Sequence, residues 1–204
     1  MNDVIYTIGH STHSTEQFLN LLRRHSITAV ADVRTLPYSR HYPQFNRESL
    51  KQELRSNGIS YVFLGKELGG RPSERRFYCE GVADYEKMAQ TADFGKGIDR
   101  VLEGAAKYRI ALMCSERDPL DCHRCLLVSR ALAHRGVNVT HILDNGYAAN
   151  QDEIEDRLLK VSGRNVDDFF APRSERLAVA YRERARKVAF AEPHPDPGGP
   201  IAAE

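Results

Sequence analysis

The feature that most constrains this chain is a regular alternation. Short apolar runs at residues 4–8, 27–33, 59–64, 109–113 and 137–143 are each followed by a turn and then by a helical pattern. Phe18, Leu19 and Leu22 recur at helical spacing after the first run, Leu50 and Leu54 after the second, and Leu126, Leu132 and Ala133 after the fourth. Runs of this length bounded by turn residues read as buried strands, and strands alternating with helices pair in parallel through right-handed crossovers. The expected fold is therefore α/β, three-layered, with a mostly parallel sheet of about five strands and crossover helices. An eight-fold barrel needs about 250 residues, more than the 204 present.

With 41% hydrophobic and 28% charged residues, the chain can bury one sizeable core. The expected organisation is a single α/β domain over residues 1–162 and an extension over 163–204. In that extension Leu177, Tyr181, Ala185 and Val188 line one face of a helix at about 172–190, which Pro172 can start. Arg173, Arg176, Arg182, Arg184, Arg186 and Lys187 against Glu175 and Glu183 make it locally basic, although the whole chain carries only +1. Three prolines within five positions (193, 195 and 197) and two glycines then mark a disordered tail. The apolar stripe is narrow, so a chain cut after Gly163 is expected to fold. No apolar run approaches the roughly 18 residues of a membrane span, and no basic region precedes a long apolar stretch at the N-terminus. The expectation is a cytoplasmic protein without a membrane partner.

Parallel strands bring their carboxyl ends to one edge, where open α/β sheets bind ligands. That edge collects His10 and Ser11 after the first strand, Asp32 and Arg34 after the second, and a glycine loop with Gly69 and Gly70 after the third. The densest chemistry follows the fourth strand: Cys114, Glu116, Arg117, Cys122, His123 and Arg124. Three of the four cysteines, Cys114, Cys122 and Cys125, fall within twelve positions, which points to ligand, redox or nucleophile roles rather than to stapling. Cys122, read as opening a helix capped by Asp121, has His123 and Arg124 beside it. Such surroundings make a thiol more acidic. Cys114, Cys122, His123 and His10 are the candidate catalytic residues. Ser11, Asp32, Arg34, Gly69, Gly70, Glu116, Arg117 and Arg124 are the candidate ligand-binding ones, since arginine forks suit phosphate or carboxylate.

Other patterns are less well met. Cys122-His123-Arg124-Cys125 has the Cys-x-x-Cys form of thiol–disulfide proteins, in a chain otherwise unlike thioredoxin. Cys114, Cys122, Cys125, His123 or His10 could serve a metal, but there is one Cys-x-x-Cys and no second pair, so no metal is assigned. Gly65-Lys66 lacks the spacing of the P-loop, and Leu120 stands where a phosphatase loop has arginine. The aromatic and basic turn at 38–45 and the basic helix could stack on and neutralise nucleic acid.

As a set, Thr7-Ile8-Gly9-His10-Ser11, Asp32-Val33-Arg34, Leu68-Gly69-Gly70, Leu112-Met113-Cys114-Ser115-Glu116, Cys122-His123-Arg124 and His141-Ile142 resemble the domain-of-unknown-function 488 family over about residues 4–145. The resemblance implies a small bacterial or archaeal α/β protein without a firmly assigned activity. Its marked residues here are His10, Ser11, Asp32, Arg34, Cys114, Glu116, Cys122, His123 and Arg124. Cys125 and the basic helix lie outside the pattern. The functional expectation is a cysteine-centred enzyme, a transferase or hydrolase, acting on an anionic or nucleotide-like ligand at the carboxyl edge. The alternatives are a non-catalytic nucleotide or nucleic-acid binding module and a thiol–disulfide redox protein. The sequence names no cofactor and no oligomeric state.

Overall fold

A computed structural model describes residues 4–165 and 171–192; the expected C-terminal tail from residue 193 onward lies outside them. The chain begins with β1 (Val4–Gly9), α1 (Thr15–Arg24) and β2 (Ala29–Asp32). After a 3-10 turn at Pro43–Phe45 come α2 (Arg47–Ser56), β3 (Ser60–Phe63) and the single turn α3 (Gly65–Leu68). The irregular stretch expected at 71–82 holds a small hairpin, β4 (Tyr78–Cys79) and β5 (Val82–Ala83). Then follow α4 (Tyr85–Ala89), α5 (Ala92–Ala105) and β6 (Ile110–Cys114). A 3-10 turn at Pro119–Asp121 leads to a π-wound segment, Arg124–Ser129, that continues into α6 (Arg130–His134). The last described elements are β7 (Asn138–Ile142), β8 (Ala148–Asn150), α7 (Gln151–Val161) and α8 (Arg173–Val188).

The main sheet has the order β3-β2-β6-β1-β7-β8. The first five strands are parallel, and β8 adds an antiparallel edge to β7. The sheet thus has six strands rather than about five. The extra one is a three-residue strand of Ala148, Ala149 and Asn150, without the β-branched or aromatic residues that mark strands in a sequence.

Strand side chains alternate between the two faces, and the sheet is buried on both, as parallel sheets are. Tyr6, Ile8, Val30, Ala111 and Met113 meet α1 and α2 through Phe18, Leu22, Leu50 and Leu54. Ile5, Ala31, Val33, Leu112 and Cys114 meet α5 and the π-wound segment through Ile98, Val101, Leu126 and Leu127. Two helices are fixed at their starts by capping boxes, Ser14 with Gln17 and Asn150 with Glu153.

The second core includes α8, whose Leu177, Ala180 and Tyr181 are buried. A buried polar chain ties that helix to the sheet. Thr7 Oγ1 donates to His141 Nδ1 at 2.9 Å, and His141 Nε2 donates to Gln151 Oε1 at 2.8 Å. Gln151 Nε2 donates to the Tyr181 hydroxyl at 2.7 Å, and that hydroxyl donates to Glu155 at 3.0 Å. Arg184 reaches the carbonyl of Leu120 at 3.0 Å and pairs with Asp121. Beyond α8 the backbone pairs with the small hairpin: Ala83 N–H donates to Phe190 O at 2.9 Å and Glu192 N–H to Gly81 O at 2.8 Å.

The stripe is narrow, as read from the sequence, but its residues sit in the main core. Tyr181→Ala should cost about 3–5 kcal/mol, as large aromatic truncations in a core do. Removing everything after Gly163 should abolish a cooperative urea transition. A truncated chain with a sharp transition at the full-length midpoint would show that α8 packs without stabilising.

Candidate active site

The parity of the strands divides the chemistry of the carboxyl edge. Ile8 and Val30 face α1 and α2, so His10 and Asp32, two residues further on, emerge on that side. Cys114 follows Leu112 onto the opposite face. The single cleft expected for these residues therefore resolves into two polar knots, with Arg34 between them.

The first knot is an ion pair with a neutral imidazole. Arg34 Nε and Nη2 grip the two oxygens of Asp32 at 2.9 and 2.6 Å, and Nη2 also donates to the carbonyl of Phe45 at 2.8 Å. Tyr61 donates its hydroxyl to Asp32 at 2.8 Å. Asp32 is fully buried and Arg34 nearly so, where such a pair requires this degree of satisfaction. Arg34 Nη1 donates to His10 Nε2 at 3.2 Å, while His10 Nδ1 donates to Ser11 O at 3.0 Å. The ring stacks on Phe45 with centroids 4.3 Å apart. Burial, helped by the Arg34 charge, lowers the His10 pKa to about 4. Ser11 turns the chain with φ +47°, and its backbone N–H donates to Ser115 O at 3.0 Å.

The second knot is the sulfur cluster. One donor atom each from Cys114, Glu116, Cys122 and His123 lie within 4.8 Å of one another. Cys114 Sγ is 3.6 Å from His123 Nδ1, and Cys122 Sγ is 4.0 Å from the same nitrogen. The Cys122 thiol donates to Glu116 Oε2 at 2.9 Å. His123 Nε2 donates to the carbonyl of Val33 at 2.8 Å, which aims Nδ1 at the sulfurs. A Cβ on Gly70 would stand 2.7 Å from the His123 ring, so only glycine lets the loop close over the imidazole.

Burial opposes charge on every member, and the neighbours decide the outcome. Burial raises the Cys122 thiol, but the Cys114 hydrogen bond, Arg124 and His123 outweigh it, and the net shift is well downward. Burial and the neighbouring Cys122 hold Cys114 well above the usual thiol range. Burial and Cys122 raise Glu116. Burial lowers His123, yet its contact with Cys122 raises it further. The thiol–carboxyl proton is thus held between Cys122 and Glu116, and the imidazole is disposed to carry charge.

Arg124 builds the loop that carries these residues. Its guanidinium is wholly buried, donating from Nη1 to Glu116 O at 2.6 Å and from Nη2 to Arg117 O at 3.1 Å. Its Nε has no partner among the described residues. Gly9 makes room, because a Cβ there would stand 2.0 Å from Glu116 O. Ser129 Oγ donates to Arg124 O at 2.7 Å within the π-wound turn, a form of helix often found at functional sites.

Several expectations change with this geometry. Cys122 is extended, with φ −138° and ψ 139°, because Pro119 starts a separate 3-10 turn and the helix begins after it. Asp121 pairs with Arg184 instead of capping. Arg117 is 70% exposed and bound to Asp144, away from the sulfurs. Cys125 packs into the apolar core, where burial pushes its thiol up, so the clustered partner of Cys122 is Cys114. A cavity of about 290 Å³ opens onto the cluster, bounded by Arg34, Gly70, Arg71, Tyr85, Asp121 and Phe190 among others. Gly69 lines a larger adjoining cleft of about 860 Å³ that contains no cysteine or histidine. Tyr85, Arg71 and Phe190 were not legible as site residues, since each stands alone in sequence.

A family described as Domain of unknown function DUF488 matches residues 14–131, more than half of the chain. The chain belongs to the DUF488 family. The matched stretch holds the whole sulfur cluster and the Asp32–Arg34 pair, and leaves out β1 with His10 and all of α7 and α8. No curated protein and no solved structure matches the chain. No described helix is long and apolar enough to cross a membrane.

His10 and His141 are buried neutral, each lowered to about 4, and for His141 too burial is the main cause. An unfolded histidine takes its proton near 6.5. Between those values the unfolded chain binds more protons, so stability rises with pH there and is flat, on this account, above 6.5. Acidification from pH 6.5 to 4 should therefore remove about 3 kcal/mol per histidine. In urea unfolding across that range the two histidines should contribute about one proton each to the slope, with Glu116, raised in the fold, opposing them, and His141→Gln should lower the slope by about one. An unchanged slope in the variant would refute the assignment.

Proposed function

We propose that this DUF488 chain is an enzyme, a cysteine-dependent transferase or hydrolase, acting on an anionic, nucleotide-like ligand in the cavity of about 290 Å³. Cys122 supplies the thiolate, Cys114 at the cavity wall hydrogen-bonds it, and His123 carries the proton. Arg34 and Arg71 at the cavity wall supply positive potential for the ligand, and Gly70 lets the loop approach it. His10 and Asp32 fix Arg34, Arg124 and Ser11 hold the 114–117 loop, and Glu116 shares the Cys122 proton. The observation that carries the reading is convergence: two sulfurs, an imidazole and a carboxylate within 4.8 Å, of which Cys114, Glu116 and His123 line a cavity at the carboxyl edge of a parallel sheet and Cys122 lies behind them.

The nucleic-acid reading has less support. Arg173 pairs with Glu155 and Asp156, Arg182 with Glu86 and Arg184 with Asp121, so much of the basic helix is already neutralised. In the turn at 38–45, Phe45 is buried and Tyr38 is the large exposed aromatic. The redox reading loses its Cys-x-x-Cys pair, because Cys125 lies in the core.

The test is competitive labelling. In chelator-treated protein, iodoacetate should alkylate Cys114 or Cys122, and millimolar pyrophosphate or a nucleoside monophosphate should slow it. Arg71→Ala should weaken that protection about tenfold or more, the equivalent of one charge-assisted hydrogen bond. Labelling of exposed Cys79 alone, or protection indifferent to Arg71, would overturn the proposal.

A further inference from the structure

We infer that the sulfur cluster is a zinc site, with Cys114 Sγ, Cys122 Sγ, His123 Nδ1 and the Glu116 carboxylate as the four ligands. The inference rests on the cluster being the reactive centre and names what that centre binds; with metal bound the sulfurs serve as ligands, and the free-thiol reactivity proposed above belongs to the metal-free protein. Four donors on one tetrahedral zinc stand roughly 3.3–3.8 Å apart, given metal–ligand bonds of about 2.0–2.3 Å. The cluster spans that spacing: 3.6 Å from Cys114 Sγ to His123 Nδ1, 4.0 Å from Cys122 Sγ to the same nitrogen, and 2.9 Å from Cys122 Sγ to Glu116 Oε2. Two sulfurs and an imidazole select a soft or borderline ion over magnesium or calcium.

The surroundings are those a bound metal needs. A metal-ligating histidine donates its other ring nitrogen to a carbonyl or carboxylate, fixing tautomer and aim; His123 Nε2 does so to Val33 O at 2.8 Å. The backbone N–H of Arg124 donates to Cys122 Sγ at 3.4 Å. Charge also balances. Two thiolates and a carboxylate bring three negative charges against two on zinc, and the buried Arg124 guanidinium supplies the third positive one. Arg124 is wholly buried and its Nε has no partner among the described residues, so this charge has little other purpose in the interior beyond holding two carbonyls.

Glu116 differs from the other three. It is only partly buried and lies at the cavity wall together with Cys114 and His123. Its carboxylate is the ligand that an anionic substrate or a water can replace, leaving the three-ligand, open arrangement of catalytic zinc.

The experiment loads full-length, chelator-treated protein with cobalt(II) as a spectroscopic probe and with zinc. The expected result is one equivalent of metal per chain, tetrahedral visible bands and sulfur-to-cobalt absorption, with Cys114 and Cys122 protected from alkylation while Cys79 stays reactive. Cys122→Ser and Cys114→Ser should weaken binding about a hundred-fold or more, and Glu116→Gln less, while Cys125→Ser should leave it intact. Should the sulfur variants fail to fold, the Glu116→Gln and Cys125→Ser pair still discriminates. Absence of sulfur-to-cobalt absorption, or loss of binding in Cys125→Ser, would overturn the site. Pyrophosphate protection in the metal-free protein is read separately, so a failed metal site and a failed ligand cavity are told apart.

Discussion

The site depends on one buried charge. Arg124 lies at the start of a helix, yet its guanidinium reaches back to the carbonyls of Glu116 and Arg117 and closes the loop between β6 and the 3-10 turn. Without that clasp, Cys114 at the strand end and Cys122 eight residues later have no reason to meet. A bare guanidinium in a dry interior is costly, and the acidic members of the cluster offset that cost. The same charge helps make Cys122 acidic. Fold and chemistry are linked here: the group that shapes the loop also sets the electrostatics of what the loop carries.

The two knots share a logic but differ in how fully their members are hydrogen-bonded. Around Asp32 the hydrogen-bonding capacity is nearly used up by Arg34 and Tyr61, which makes a rigid support. Around the sulfurs the contacts are longer, protons are shared, and a cavity adjoins. Arg34 joins both, bonded to Asp32 and His10 on one side and bordering the cavity on the other. A rigid ion pair beneath a polarisable cluster suits a site whose geometry must persist while its charge changes.

Much of this was legible in the sequence. The five parallel strands announced themselves by apolar runs, and the carboxyl edge followed from parallelism. Period-two parity, carried past the strand ends, also separates His10 and Asp32 from Cys114. Other features had no local signal. Ala148-Ala149-Asn150 becomes a strand only because β7 offers an edge. Asp121 looks like a helix cap, but Pro119 diverts the chain into a separate turn. Cys122 and Cys125 form a familiar spacing, yet the extended backbone at Cys122 sends its sulfur toward Cys114. The narrow stripe on α8 understates its role, because the Tyr181 hydroxyl joins a buried polar chain invisible to hydrophobic patterning.

The backbone beyond α8 pairs with the small hairpin, and Phe190, resting against Arg71, borders the cavity. The floor of the cavity comes from the stretch shared with the family, and part of its roof comes from a segment outside that stretch. On the proposed function, reaction chemistry and substrate choice are written in separate parts of the gene. A lineage could exchange the roof, and with it the molecules admitted, while the sulfur chemistry beneath stayed as it was.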